Sequence, residues 1–568
     1  MGVRRALDMV LTEANKDHGP LYTFGPLIHN EQVMRLLESK GVSSVDAIPH
    51  IQKGTIVIRA HGIPPEQRKL LKASGLTIID ATCPRVARVQ SIVRYHTHKG
   101  FTALIVGEAD HPEVIGLKGY GNGKAHVISS IEELPDLAKS ENLIIVAQTT
   151  QEKLQYLEIV ESIRKRFPDA LVFDTICDAT QSRQEDVRAL APHVDGIVVV
   201  GGYHSGNTRR LAQMARSTGV PTFHVETEAE LDKEQLSSME MIGVTAGAST
   251  PNWMIKKVVQ EIEAIRSRKE TLLGRAAKYA LKFLFQTNMV ISLGAFFLTC
   301  ASLVLSGRSF DLIHPSLSFL YIYAMHVLNR FLDKGASFYN DPERALFYRR
   351  HRRIIVLSGL AAITGCLALS YSIGLTTFLT MVGLSLLGSI YSLPILPLGR
   401  RKLGRHLRIK DIPGSKTLAQ ALAWGAVIAL LPLLEPTGPG WPGALTSFFF
   451  VSTMVYVRSA FFDIFQVQGD LIVGSETIAI TLGEKKTLLL LKGVLLLGAI
   501  VLVAAPLLSL VGPFSYLLLL CYFSLRLCLI AYERRWLYPS TRLEAMVEAN
   551  LFFAGLLGLI WQFLPWPR

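Results

Sequence analysis

Two sets of residues in this sequence have the types and spacings that chemistry needs. Through the first 250 residues, short polar motifs follow apolar, β-branched runs: His61 after TIVIRA, Cys83 after TIIDAT, the triplet His111 to Glu113 after TALIVG, and Gln148 to Thr150 after NLIIVA. Cys177 follows DALVFDTI, the stretch His204 to Thr208 follows GIVVVGG, and Gly247 to Ser249 follows MIGVTA. Imidazoles, hydroxyls and an amide suit phosphate oxygens, Glu113 suits a proton, and two thiols suit a metal centre. Thiols far apart in sequence, at the ends of different strands, favour an iron–sulfur cluster over the compact CxxC of a zinc knuckle. Two thiols alone do not hold a cubane firmly, so a third ligand is missing. Any one of these histidines is more often structural; seven coincidences at strand ends argue for one site.

The second set lies in apolar surroundings. Asp463 and Asp470 stand seven residues apart, two helical turns, so their carboxylates share a face, and Asn329 and Asp333, four apart, do likewise. Two oxygen-rich helix ends facing each other make a hard-cation site, and Mg²⁺ holds diphosphate through a few carboxylates and retained waters. The plainer reading is that these residues only cap helices at the water boundary.

The elements that must position the first set follow from the pattern. Apolar runs alternate with amphipathic stretches such as TRRLAQMARSTG, which predicts parallel α/β layers, and in such sheets ligands bind beyond the carboxyl ends of the strands. The opening MGVRRALDMVLTEANKDHG reads as an amphipathic helix without the apolar core of a secretion signal, so this half is expected in the cytoplasm with reduced thiols. GYGNG at Gly119 to Gly123 lacks the strand and lysine of a phosphate loop and reads as a turn.

Beyond residue 278 the solvent changes. The chain is 568 residues long and only 18% charged, below the roughly 25% of soluble domains, and 11 of its 15 histidines precede residue 230. Apolar runs near 280–306, 313–329, 354–373, 376–398, 417–434, 444–462, 487–511, 514–532 and 547–565 predict about nine membrane spans. Basic clusters flank alternate loops, among them Arg344 to Arg353 and Arg400 to Lys410, whereas the other side has short turns such as EPTGPGWPG. That bias predicts a multi-pass protein of the inner (plasma) membrane, with its amino-terminal domain in the cytoplasm and its carboxyl terminus outside. It also assigns much of the net charge of +13 to the lipid bilayer, and no nucleic acid is expected as a partner. The expected domains are 1–262, a basic linker 263–278, and 279–568.

With GVRRA, PLIHN, RAHGI, DATCP, HPEV, AQTT, ICDAT, HSGNT and TAGAS all present, residues 1–260 resemble hydroxymethylbutenyl diphosphate reductase, the LytB or IspH family. The resemblance implies three α/β lobes around a 4Fe-4S cluster, with Cys83 and Cys177 as two of its ligands. It further implies His29, His61 and His111 as diphosphate or substrate contacts, Glu113 as proton donor, and Thr149 or Thr150 beside it. Ser205, Asn207 and Ser249 would hold substrate and diphosphate, with Gly206 where some members have another serine. A reduced ferredoxin or flavodoxin-type donor would supply electrons. In the family a strand ending in Gly-Phe-Cys precedes the helix that opens here as MGVRRAL, so that third cysteine would stand before Met1; a misplaced start codon is the expected origin.

About nine spans, the two Asp-bearing segments, and YSLP with its trailing basic loop from Tyr391 to Lys416 make residues 275–568 resemble the UbiA prenyltransferases. The resemblance implies Mg²⁺ and prenyl diphosphate at Asn329, Asp333, Asp463 and Asp470, with Arg330 and Lys416 as further diphosphate contacts. Arg330, Ser337 and Gln466 stand where the family's motifs more often carry acids. The expected whole is an isoprenoid-biosynthesis fusion, a reductase and a membrane prenyltransferase. Two rivals remain: a redox-inactive binding or scaffold domain tethered to the transferase, and a transporter in place of the membrane enzyme.

Overall fold

The computed structural model describes residues 2–16, 19–47, 53–138, 142–265, 272–332, 336–392, 396–397, 406–407, 412, 414–436, 438–475 and 477–563. It divides into two units, Met1–Glu270 and Thr271–Arg568.

In the first unit eleven short strands form three separate all-parallel sheets. The first contains β1 (Leu21–Phe24), β2 (Val42–Val45), β3 (Thr55–Ile58) and β4 (Thr77–Asp80), in the order β2-β1-β3-β4. The second contains β5 (Thr102–Val106), β6 (Ala125–Ile128), β7 (Leu143–Ala147) and β8 (Leu171–Val172), in the order β6-β5-β7-β8. The third contains β9 (Gly196–Val200), β10 (Thr222–Val225) and β11 (Ile242–Ala246), in the order β10-β9-β11. β3, β5, β7 and β9 are buried along their whole length, as expected where helices cover both faces of a parallel sheet. The same winding is used three times: the second-entering strand lies on one side of the first, and the third on the other.

This repetition places the polar motifs. The first strand of each lobe leads to a helix whose cap is a motif residue or its neighbour: Asn30 beside His29, then His111, then Ser205. Strands β3, β7 and β11 lead to His61, to Thr149 with Thr150, and to Ser249. Strands β4 and β8 lead to Cys83 and Cys177, each at the cap position of the following helix, Pro84–His98 or Asp178–Leu190.

Among its described residues the second unit is helical apart from one two-residue strand pair. Nine helices follow the nine apolar runs: Met289–Leu305, Ile313–Leu332, Arg352–Ile373, Leu375–Ser392, Ser415–Gly425 continuing to Leu434, Trp441–Val473, Glu484–Leu507, Phe514–Glu533 and Thr541–Phe563. By length and composition six are long and apolar enough to cross a membrane, and Met289–Leu305 and Leu375–Tyr391 are shorter apolar helices. The run expected at 280–306 is broken: Leu272–Gln286 is a separate amphipathic helix, because Asn288 takes a left-handed backbone (φ 62°) and donates its side-chain amide to the Tyr348 hydroxyl at 2.6 Å. Trp441–Val473 is 33 residues long, so Asp463 lies within a helix and not at the helix end that the apolar run suggested. Its core packs Phe450, Met454 and Phe461 against Trp424, Leu491, Leu518 and Leu525.

Within that core Arg458 and Glu548 are both buried, and Arg458 Nε donates to Glu548 Oε2 at 2.9 Å beside a second guanidinium contact. Removing one partner strands the other charge away from water. Arg458→Ala should therefore cost about 3–5 kcal/mol, read as a large drop in the thermal midpoint of detergent-solubilised protein. The double change Arg458→Met with Glu548→Leu should recover most of that loss.

Candidate active site

Burial decides the protonation of Glu113. Its side chain sits on the first turn of the Pro112–Gly119 helix and is 2% exposed. Both oxygens are used by one neighbour: Oε1 accepts from the Thr149 backbone N–H at 2.7 Å, and Oε2 from the Thr149 hydroxyl at 2.9 Å. Desolvation pushes the carboxyl above the usual carboxylate range, opposed by these two bonds and by the charge of Arg210. Thr149 is thus the direct partner; the Thr150 hydroxyl instead accepts from Arg210 at 3.1 Å.

Three imidazoles gather beside it. Ring centroids of His29 and His61 are 4.7 Å apart, of His61 and His111 5.4 Å, and of His29 and His111 5.8 Å. Burial first, then mutual repulsion and nearby arginines, disfavours charge on the group: His111 falls to about 3, and His29 and His61 also fall below the ordinary imidazole value. By distance alone these rings could hold a metal ion. The hydrogen bonding of His111 argues against that. Its Nδ1 accepts the Glu113 backbone N–H at 3.1 Å, capping the helix, so the neutral ring carries its proton on Nε2. A ring fixed as an Nε2–H donor offers a hydrogen to an anion and no lone pair to a metal.

Anion-binding groups converge on the same place from the third lobe. A Cβ built on Gly206 would lie 3.8 Å from His111 Nε2 and 3.6 Å from a Glu108 oxygen, so the start of the Gly206–Ser217 helix adjoins that ring. The first N–H groups of a helix favour negative charge. Ser205 caps this helix through the Thr208 N–H at 3.4 Å and accepts from Ser249 Oγ at the same distance, which brings Ser249 into the group. Among the described residues, His29 Nε2, His61 Nδ1 and Asn207 Nδ2 are buried without a hydrogen-bond partner, as donors and acceptors kept for a ligand would be.

The cysteines border this pocket. The Cys177 N–H donates to the Thr149 carbonyl at 2.8 Å and the Cys83 N–H to the Ala60 carbonyl at 2.9 Å, tying each thiol's backbone to the loop that holds Glu113 or His61. Arg85 and Asp178, on the first turns of the two helices that begin after Cys83 and Cys177, form an ion pair that joins those turns. Both thiols are free and partly exposed, two soft donors of the kind an iron–sulfur cluster takes. A Cβ on Gly2 would come 2.2 Å from Cys83 Sγ, so the amino-terminal helix starts against this sulfur.

In the helical unit Asp463 and Asp470 are buried on one helix. Thr417 donates to Asp463 Oδ2 at 2.7 Å, and Lys416 acts on that carboxylate by its charge. Asp470 Oδ1 accepts from Asn340 Nδ2 at 3.0 Å; a Cβ on Gly469 would collide with the same amide, at 2.0 Å, so the glycine makes room for it. Asn340 is therefore the residue of the first segment that meets the second. In the sequence only its position one before a helix-capping aspartate, Asp341, marks it. Asn329 is exposed near the end of its helix, and Arg330 packs over the Tyr348 ring at 5.8 Å. Asp333 and the basic loop of residues 398–405 and 408–411 lie outside the described residues.

Two family models match, one described as LytB protein over residues 1–263 and one as the UbiA prenyltransferase family over 283–556. The 4-hydroxy-3-methylbut-2-enyl diphosphate reductase of Opitutus terrae is 42% identical over 276 residues, covering 46% of this chain and 96% of that protein. A solved (E)-4-hydroxy-3-methyl-but-2-enyl diphosphate reductase is 41% identical, with 47% of this chain and 95% of that one covered and a TM-score of 0.39. A UbiA homologue from Archaeoglobus fulgidus, solved with DMAPP and Mg²⁺, is 18% identical, with 50% and 100% covered and a TM-score of 0.36. Through residues 1–263 the chain belongs to the LytB family of 4-hydroxy-3-methylbut-2-enyl diphosphate reductases, and in the same polypeptide it carries a UbiA-family prenyltransferase domain.

Proposed function

We propose that the first unit reductively dehydroxylates 4-hydroxy-3-methylbut-2-enyl diphosphate to isopentenyl and dimethylallyl diphosphate, and that the second moves a prenyl chain from its diphosphate to an acceptor in the membrane. The observation that carries the first half is a buried carboxyl whose hold on its proton desolvation strengthens, next to imidazoles and a helix start that suit an anion. The overall change takes two electrons and two protons and releases water from the allylic alcohol. Cys83 and Cys177 would hold the iron–sulfur cluster, which when bound supplies those electrons from a reduced ferredoxin or flavodoxin-type donor.

The protein's own groups do the rest. His111 Nε2–H, Asn207 and the first N–H groups of the Gly206–Ser217 helix hold the diphosphate, with Ser205 and Ser249 lining the same end and His29 and His61 lining the approach. Glu113 gives its proton to the departing hydroxyl, and Thr149 holds the resulting carboxylate through two hydrogen bonds already in place. Burial of Glu113 favours its carboxylic acid form before substrate arrives.

In the second unit Asp463 and Asp470, with Asn340, are the oxygens that would hold Mg²⁺ on a prenyl diphosphate, and the family resemblance adds Asn329, Arg330, Asp333 and Lys416 as further metal or diphosphate contacts. The basic loops support a cytoplasmic orientation of the first unit at the plasma membrane.

Glu113→Gln should lower reductase turnover about 10²- to 10⁴-fold and leave inorganic diphosphate binding nearly unchanged. Iron and sulfide content of anaerobically purified protein checks the cluster, and near-zero iron would point to the scaffold reading. For His111→Asn, a good helix cap without the Nε2–H, the expectation is an unchanged thermal midpoint with inorganic diphosphate bound about 10-fold more weakly by calorimetry. Asp463→Asn should slow Mg²⁺-dependent diphosphate release from a prenyl diphosphate by about 10²-fold or more, without touching the reductase.

A further inference from the structure

Arg210 belongs to the third lobe, yet its described hydrogen bonds all go to the second. Nη1 donates to the Thr150 carbonyl at 3.0 Å and to the Thr150 hydroxyl at 3.1 Å, and Nη2 to Glu108 Oε1 at 2.9 Å. From there the contacts close on themselves. The Glu108 N–H donates to Gln148 Oε1 at 3.0 Å, and Gln148 Nε2 donates to the Thr150 hydroxyl at 3.1 Å. Glu108, Gln148, Thr150 and Arg210 therefore form a ring around the turn whose preceding residue, Thr149, holds Glu113. The Arg210 side chain is only 14% exposed, although its partner Glu108 is 40% exposed. Neighbouring Arg209, at 52%, merely touches the other Glu108 oxygen at 3.4 Å.

We propose that Arg210 is a positioning residue for proton delivery: by closing this ring across the boundary between the second and third lobes, it holds the Thr149–Thr150 turn against Glu113 and brings a fixed positive charge to bear on that carboxyl only while the third lobe is docked. The inference rests on Glu113 as proton donor. A docked cation eases proton loss from a buried acid, so departure of the third lobe would return the carboxyl to a tighter hold on its proton. Glu113 faces the Thr149 N–H and hydroxyl, His111 two residues earlier on its own segment, and the charge of Arg210. Arg210 is in turn faced by Glu108, Arg209 and Glu152, and Glu152 is paired with Arg188 at 3.3 Å. Glu108 thus offsets part of the charge that Glu113 feels, and an effect of about half to one pH unit is expected.

The test follows the carbonyl stretch of protonated Glu113 by infrared difference against Glu113→Gln, as a function of pH, in the full-length protein in detergent. Arg210→Gln should raise the midpoint by about half to one pH unit. Arg210→Lys, which keeps the charge and loses the two-pronged contact with Thr150, should leave the midpoint in place while lowering kcat. Glu108→Gln, which removes the counter-charge, should move the midpoint down, and it serves if Arg210→Gln fails to fold. An unmoved midpoint in a folded Arg210→Gln, or in Glu108→Gln, overturns the proposal. These shifts are read without turnover: a chain that shows them yet reduces no substrate would overturn the reductase reading and leave the clamp standing, and an active chain without them would do the reverse.

Discussion

A parallel strand that turns into a helix leaves the helix's first N–H groups pointing past the sheet edge, and the first unit of this protein is built on that one constraint. His111, Ser205, Cys83 and Cys177 all stand at helix caps, and Asn30 caps the helix after His29. Each cap orients a side chain or backbone toward a shared space without further support. His111 shows how far this goes, because the bond that caps its helix also fixes which ring nitrogen carries the proton. One backbone hydrogen bond thereby helps to separate an anion site from a metal site.

Most of this pocket is legible in the sequence because its parts are local. A β-branched run followed by a polar motif identifies a strand end, and the seven motifs read this way do follow strands, although β8 is only two residues long and Cys177 is reached through an extended segment. What could not be read is the division of labour within motifs. Thr149 and Thr150 are chemically identical neighbours, and only the fold assigns one to Glu113 and the other to Arg210. Arg210 itself looks like one more base on an amphipathic helix, since its partners are 60 and 102 positions away in the chain.

The helical unit was harder for a related reason. Apolar runs predict that helices exist but say little about where a buried polar residue interrupts them. The Asn288 turn and the long continuation of Trp441–Val473 both depend on contacts between distant segments, one through the Tyr348 hydroxyl and the other through the room Gly469 leaves for Asn340. Hydropathy also could not distinguish lipid-facing from packed residues. Arg458 and Glu548 are a case in point: both are buried, and in the fold they satisfy each other.

Three separately cored sheets share one pocket, so each lobe contributes an incomplete set of groups and none holds a ligand alone. An occupant that touches all three works as a staple, adding its binding free energy to the cohesion of the domain. Losing that occupant would loosen all three lobes at once, so the cohesion of the domain follows what fills the pocket.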